Sequence, residues 1–325
     1  MLGVLYNIGR KILPPIARYT TVPLIRKVPR QSAAIVSIHH YEPDLLYKCL
    51  VQLKQHYKVV PLSVLLDDFF ANKLDSRTVA ITLDDGILIQ VRTIANILEQ
   101  LQLPATFFVC PDFIDSDQIY WWEEVRLLLS LTQKDRIQVF GQKFTLKRQR
   151  DRFRSFQQIN KIFYSKTEDE IEQMLESLRK ACNLGKGDLP VHHSIRMATS
   201  EDIARLARSE LFEIGSHSMD HPWLSLQSDE EIEYQIGGSK QRLEMVAGTV
   251  SDCFCYPYGP LESIGDNTLA ITKKHYRAAL TAQYGRVRAN DDPMLLKRVA
   301  LMPGDSFSIW EAKINGIWKQ VGHYL

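Results

Sequence analysis

Seven short β-rich runs recur along this chain with longer stretches between them. They are AAIVSI at 33–38, TVAITL at 78–83, ATFFVC at 105–110, LFEIGS at 211–216, DCFCY at 252–256, AALT at 278–281 and KRVAL at 297–301. Helical patterns fill several of the gaps, notably Leu88 to Leu101, Glu201 to Arg208, Glu230 to Val246 and Leu261 to His275. Strands that alternate with helices pair in parallel, because a parallel neighbour is reached only through a long crossover. The expectation is an α/β fold whose parallel sheet is closed, or nearly closed, into a barrel.

The rhythm fails between Pro111 and about Ala198, where the chain turns charged and helical and carries the basic stretch KFTLKRQRDRFR. We read an insertion over about 113–198 between two barrel strands, with helices near 119–131, 151–164 and 167–183. It opens with Tyr120, Trp121 and Trp122. Two adjacent tryptophans on a helix cannot face one core, so either one lines the mouth of a cleft or both pack the insertion onto the barrel. The remainder of 33–325 is assigned to the barrel.

Residues 1–32 are read as a separate arm. From Met1 to Tyr41 there is no Asp or Glu, while Arg10, Lys11, Arg18, Arg26, Lys27 and Arg30 are basic. Leu2, Leu5, Ile8, Ile12 and Leu13 fall at roughly helical spacing beside Arg10 and Lys11. That pattern suits a helix lying on an anionic membrane surface through residues 1–30, and equally an arm packed on the protein's own surface. Its apolar run is shorter and more interrupted than a secretory leader or a spanning helix requires. Over the whole chain the net charge is only +2 and no nucleic-acid motif occurs, so nucleic acid is not an expected partner. The five cysteines are scattered and odd in number, which argues against a disulfide framework and is compatible with a reducing compartment. The expected location is therefore cytoplasmic, peripheral on the inner face of the membrane if the arm docks there. Cys253 and Cys255 alternate within one strand and read as same-face fillers rather than metal ligands.

Three strand ends carry chemistry. AITLDDG runs out into Asp84, Asp85 and Gly86, two carboxylates and a turn-forming glycine where parallel barrels place their active sites. One carboxylate can hold a metal while the other acts as base, although Asp-Gly pairs also form plain turns. EIGSHSMDHP carries His217 and His221; one helical turn would bring both imidazoles to the same side, as a two-histidine metal site requires. Two histidines and one carboxylate leave coordination positions open, the mark of a catalytic ion rather than a structural one. FCYPYG at 254–259 ends in a rigid turn that can aim the Tyr258 amide as an oxyanion donor.

Taken in order, TLDDG, LPATFFV, EIGSHSMDHP and FCYPYG resemble the polysaccharide deacetylase family (NodB homology, carbohydrate esterase family 4) from about Ala34 to Leu301. The resemblance implies a distorted (β/α)7-type barrel, a divalent ion that is most often zinc, and an acetylated sugar as substrate. It makes Asp84 the general base, with Asp85, His217 and His221 as metal ligands. Two departures stand out. The family's arginine before the Pro-Tyr turn is replaced here by Cys255 and Tyr256, and Arg298 in LLKRV is the candidate to supply that charge from another strand. The Leu-x-His motif that furnishes the general acid is absent near the C-terminus. The early strand ends instead in Ile38, His39 and His40, resembling a subgroup in which that motif is permuted to the front. His40 is then the candidate acid, with His39 next and His323 a distant third.

The expected activity is metal-dependent deacetylation of an N-acetylated or O-acetylated saccharide, with a glycolipid intermediate of envelope polysaccharide synthesis as the preferred substrate. The alternatives are an inactive scaffold docked at the membrane, or a hydrolase of another amide such as a formamide.

Overall fold

A computed structural model describes residues 28–39, 41–190, 192 and 194–317. Among these, 28–116 and 197–317 make one compact unit and 117–196 a second.

The first unit is a closed parallel barrel of seven strands: β1 (Ser32–Ile38), β2 (Thr78–Leu83), β3 (Ala105–Val109), β4 (Phe212–Ser216), β5 (Cys253–Cys255), β6 (Ala278–Tyr284) and β7 (Leu296–Leu301). Each strand pairs with the next in sequence, and β1 closes the ring by pairing with both β2 and β7. Short strands extend it at the margins, Lys58–Val59 along β2 and Val287–Arg288 antiparallel to β1. The seven ring strands coincide with the seven runs read from the sequence. Their apolar character is nearly continuous because both faces are covered: β1, β2 and β3 are buried at every position.

Alternation along the strands sorts side chains into two layers. Val36, Ile81, Phe107 and Ile214 face outwards and pack with Leu46, Leu50 and Leu98 of the surrounding helices. Ala33, Ile35, Ala80, Phe108, Cys253, Cys255, Leu280 and Leu296 form the inner cluster, with Leu65, Leu66 and Phe69 of helix Leu62–Phe70 packed against them. Gly215 belongs to the inner parity, and a Cβ there would stand 2.5 Å from the Phe108 ring, so only glycine leaves room for that phenylalanine. Both cysteines of the CxC pair lie on the inner face, as their spacing required.

The second unit, described by itself, has helices Trp121–Leu131, Gln149–Phe163 and Glu168–Cys182 around a core that includes Leu128, Ile159, Phe163 and Leu178. Trp121 stacks on Phe163 and Trp122 on Tyr120, so the two tryptophans turn to different neighbours. The basic stretch is not all helix. Arg136–Val139 and Gln142–Thr145 make a β-hairpin whose turn residues, Phe140 and Gly141, both have positive φ (53° and 69°). That is the two-residue turn whose twist matches paired strands. Ile137, Val139 and Phe144 are its buried positions, too few apolar residues in two four-residue strands to stand out in the sequence.

Candidate active site

Inner-face parity carries the chemistry to the C-terminal mouth of the barrel. In β2 the register that turns Ala80 and Thr82 inwards does the same for Asp84; in β4 it serves His217, in β5 Cys255 and in β7 Arg298. A regular strand would send Asp85 to the opposite side from Asp84. It does not, because Asp85 adopts φ 81°, and Gly86 follows at 71° with a Cβ position 2.8 Å from Val109 Cγ1. Both carboxylates therefore face the site.

The His217–His221 segment is not a helical turn. It is an irregular loop in which Ser218 and His221 have φ of 69° and 68°, and the His221 amide donates to Ser218 Oγ at 3.0 Å. The two imidazoles meet, ring centroids 5.0 Å apart, by left-handed kinks rather than by 3.6-residue periodicity. Tyr258 is also left-handed at 59°, in a tight turn closed by the Gly259 amide donating to Pro257 O at 2.5 Å. Its ring stands 4.5 Å from that of His221 and 5.1 Å from Trp223. Four non-glycine residues at one barrel mouth thus hold a conformation that costs free energy, a concentration typical of functional sites.

The two carboxylates have different company. Asp85 Oδ1 lies 3.6 Å from His217 Nε2 and 4.0 Å from His221 Nε2. One ligand atom from each of these three residues falls within 4.8 Å of the others, and all three are buried. His217 Nδ1 is engaged with the Cys255 carbonyl at 2.7 Å, which fixes the tautomer and leaves Nε2 for an ion. Burial lowers the pKa of His217, and burial followed by the charge of His217 lowers that of His221 much further. Both are thereby neutral at pH 7, the form that binds metal. The donor set fits a divalent ion.

Asp84 is instead an ion-pair partner. Arg298 Nη1 reaches its two oxygens at 2.8 and 2.7 Å, and His39 Nε2 lies 3.6 Å from Oδ2. Burial alone would raise the Asp84 pKa, but the charges of Arg298, His217 and His39, with the Arg298 hydrogen bond, hold it well below the ordinary carboxylate range. Arg298 also donates from Nε to Thr281 O at 3.0 Å, so its head group is fixed at both ends. The Cys255 thiol donates to Asp84 Oδ1 at 3.6 Å. Asp84, His217 and Cys255 are close enough to form a second potential ligand group. Burial keeps that thiol protonated and Arg298 occupies Asp84, so the first group fits an ion better.

His40 and His323 lie outside the described residues, as do residues 1–27 of the arm. Sequence reasoning missed the supports. Gln90, fully buried, donates from Nε2 to the His39 carbonyl at 3.2 Å, and the Cys110 thiol to the His217 carbonyl at 3.1 Å. A glutamine in the otherwise apolar face of ILIQVRTIANIL was the available signal.

A parallel barrel with a buried carboxylate–imidazole cluster at its C-terminal mouth defines the class: an α/β-barrel enzyme. Residues 71–279 match the family model for polysaccharide deacetylase, and the chain belongs to that family. It is a carbohydrate deacetylase, a hydrolase acting on an acetylated saccharide. Among solved structures, IcaB from Ammonifex degensii is 16% identical at a TM-score of 0.57, with 88% of this chain and 97% of that one covered. The Streptococcus pyogenes deacetylase PplD in complex with acetate is 15% identical at 0.55, covering 88% and 99%. The BpsB deacetylase domain from Bordetella bronchiseptica is 12% identical at 0.54, covering 85% and 98%. At such identities the likeness is one of fold. A search of curated proteins finds no match.

Proposed function

We propose that this chain hydrolyses the acetamide of an N-acetylated sugar, or the corresponding acetate ester, with zinc held by Asp85, His217 and His221. The observation that carries the reading is the division of labour between adjacent carboxylates, Asp85 beside two neutral imidazoles and Asp84 clamped by Arg298. Zinc, when bound, polarises the acetyl carbonyl and acidifies water. Asp84, kept ionised by Arg298, takes a proton from the attacking water as the new C–O bond forms. The Tyr258 amide donates to the oxyanion. His40 gives a proton to the leaving nitrogen as the C–N bond breaks, so that acetate and a free amino sugar result.

The basic, apolar arm of residues 1–30 suits a substrate at an anionic membrane surface, so the preferred substrate is a glycolipid intermediate of envelope polysaccharide synthesis on the inner face of the membrane. No described helix is long and apolar enough to cross a membrane. The test is acid release from acetylated chitooligosaccharides and from a glycolipid bearing the same sugar, with and without chelator. Acetate, loss of activity on chelation and its return with zinc are expected. Formate release, or activity indifferent to chelation, would sink the reading.

A further inference from the structure

The loop that carries the two histidines has a support the motif does not contain. Between the left-handed residues Ser218 and His221 lie Met219 and Asp220, whose amides both donate to one atom, Gln235 Oε1, at 3.0 and 3.4 Å. The other end of that side chain is also used, Nε2 donating to Asp220 Oδ1 at 2.7 Å and to Glu231 Oε1 at 2.9 Å. Gln235 is 1% exposed. A fully buried amide with donors and acceptor satisfied is a rigid bracket, since any rotation of its plane breaks several hydrogen bonds together.

Local backbone explains how it reaches the loop. Gln235 sits in a π-helical turn, Tyr234–Gly238, between helices Asp229–Glu233 and Ser239–Ala247. The wider turn inserts a residue into the helix, a device that recurs at functional sites. Gly238 ends the turn, where a Cβ would stand 3.2 Å from Tyr234 Cδ2 and 3.3 Å from Met219 Cε, so the turn lies against the loop's own Met219 side chain. The next residue locks the other side: Ser239 Oγ is 2.6 Å from Ser216 Oγ, directly before His217, and donates to Ile236 O at 3.0 Å.

We infer that Gln235 is a positioning residue for the ion, setting the distance of His221 from His217 and Asp85 by bracing the kinked backbone between the histidines. It touches neither substrate nor ion. The inference rests on the metal-site reading given above and adds a residue to it.

The experiment measures zinc affinity by competition with a chromophoric chelator, alongside thermal unfolding of the metal-free protein. Gln235→Leu removes the bracket, and Gln235→Glu keeps the acceptor but sets a carboxylate against Asp220 and Glu231. The second variant serves should the first fail to fold. Expected is a zinc affinity about 10–100-fold weaker in either variant, the range for lost support of a ligand. In a His221→Ala background, adding Gln235→Leu should change zinc affinity by less than about twofold, because the braced ligand is already gone. A purely structural role would lower the unfolding temperature of the metal-free protein and leave the zinc affinity of the folded variants at the wild-type value. That outcome, or equal losses in both backgrounds, overturns the inference. If the wild type itself takes up no zinc, the metal reading fails and takes the inference with it.

Discussion

Replacing Arg298 by leucine leaves Asp84 as a carboxylate 2% exposed with its principal counter-charge removed. Taking one partner from a buried pair costs about 3–5 kcal/mol, because the survivor keeps its desolvation penalty. At about 2 °C per kcal/mol for a chain of this size, the metal-free protein should unfold ~6–10 °C lower at pH 7. The sign of the pH dependence follows from the direction of the shift. In the wild type the Asp84 pKa is depressed, so its contribution to stability is fully present above the unfolded-state value of about 3.9 and fades as pH falls below that. In Arg298→Leu, burial prevails and the carboxyl pKa rises. The folded variant then takes up a proton before the unfolded chain does, and its deficit against wild type shrinks as the solution is made acidic. The assay is thermal unfolding of both proteins in chelator from pH 7 to pH 4. A deficit under 2 °C at pH 7, or one that grows towards pH 4, would refute the assignment of Arg298 as the charge that holds Asp84 ionised.

Asp84→Asn should lower turnover by orders of magnitude and leave zinc content unchanged, as an elemental assay of the purified variant will show; an active variant rejects Asp84 as base. His217→Ala should lose its zinc on purification, and wild-type zinc content in that variant would contradict its role as a ligand. For His40→Ala, turnover of an acetamide is expected to drop about 10²–10⁴-fold, while an aryl acetate, whose leaving group needs no proton, loses far less. If His39→Ala shows that leaving-group dependence and His40→Ala does not, the acid is His39. Gly259→Ala combines φ 81° with a Cβ only 2.4 Å from Ala282 N. It should cost about 2–4 kcal/mol, readable as a lower unfolding temperature.

The barrel strands and the chemical groups at their ends were legible in the residues alone. Both signals are local: largely apolar runs of four to six residues mark strands covered on two faces, and DDG, HSMDH and YPYG lie within single strand-to-loop turns. The insertion helices were legible for the same reason, whereas its hairpin was hidden because each strand is only four residues long and its exposed positions, Arg136, Gln138, Gln142, Lys143 and Thr145, are polar residues with little strand preference apart from the threonine. Arg298 could be nominated as a charge, but its contact with Asp84, 214 residues away, exists only because β1 pairs with β2 on one side and β7 on the other. That closure depends on non-local pairing, which no window of sequence contains. Tertiary structure likewise decided how His217 and His221 meet. Four-residue spacing suggested a helical turn, but the loop is kinked left-handed at Ser218 and His221 and braced by Gln235 from the helical segment that follows it. A strained backbone is held by what surrounds it, and those surroundings are assembled only when the barrel closes.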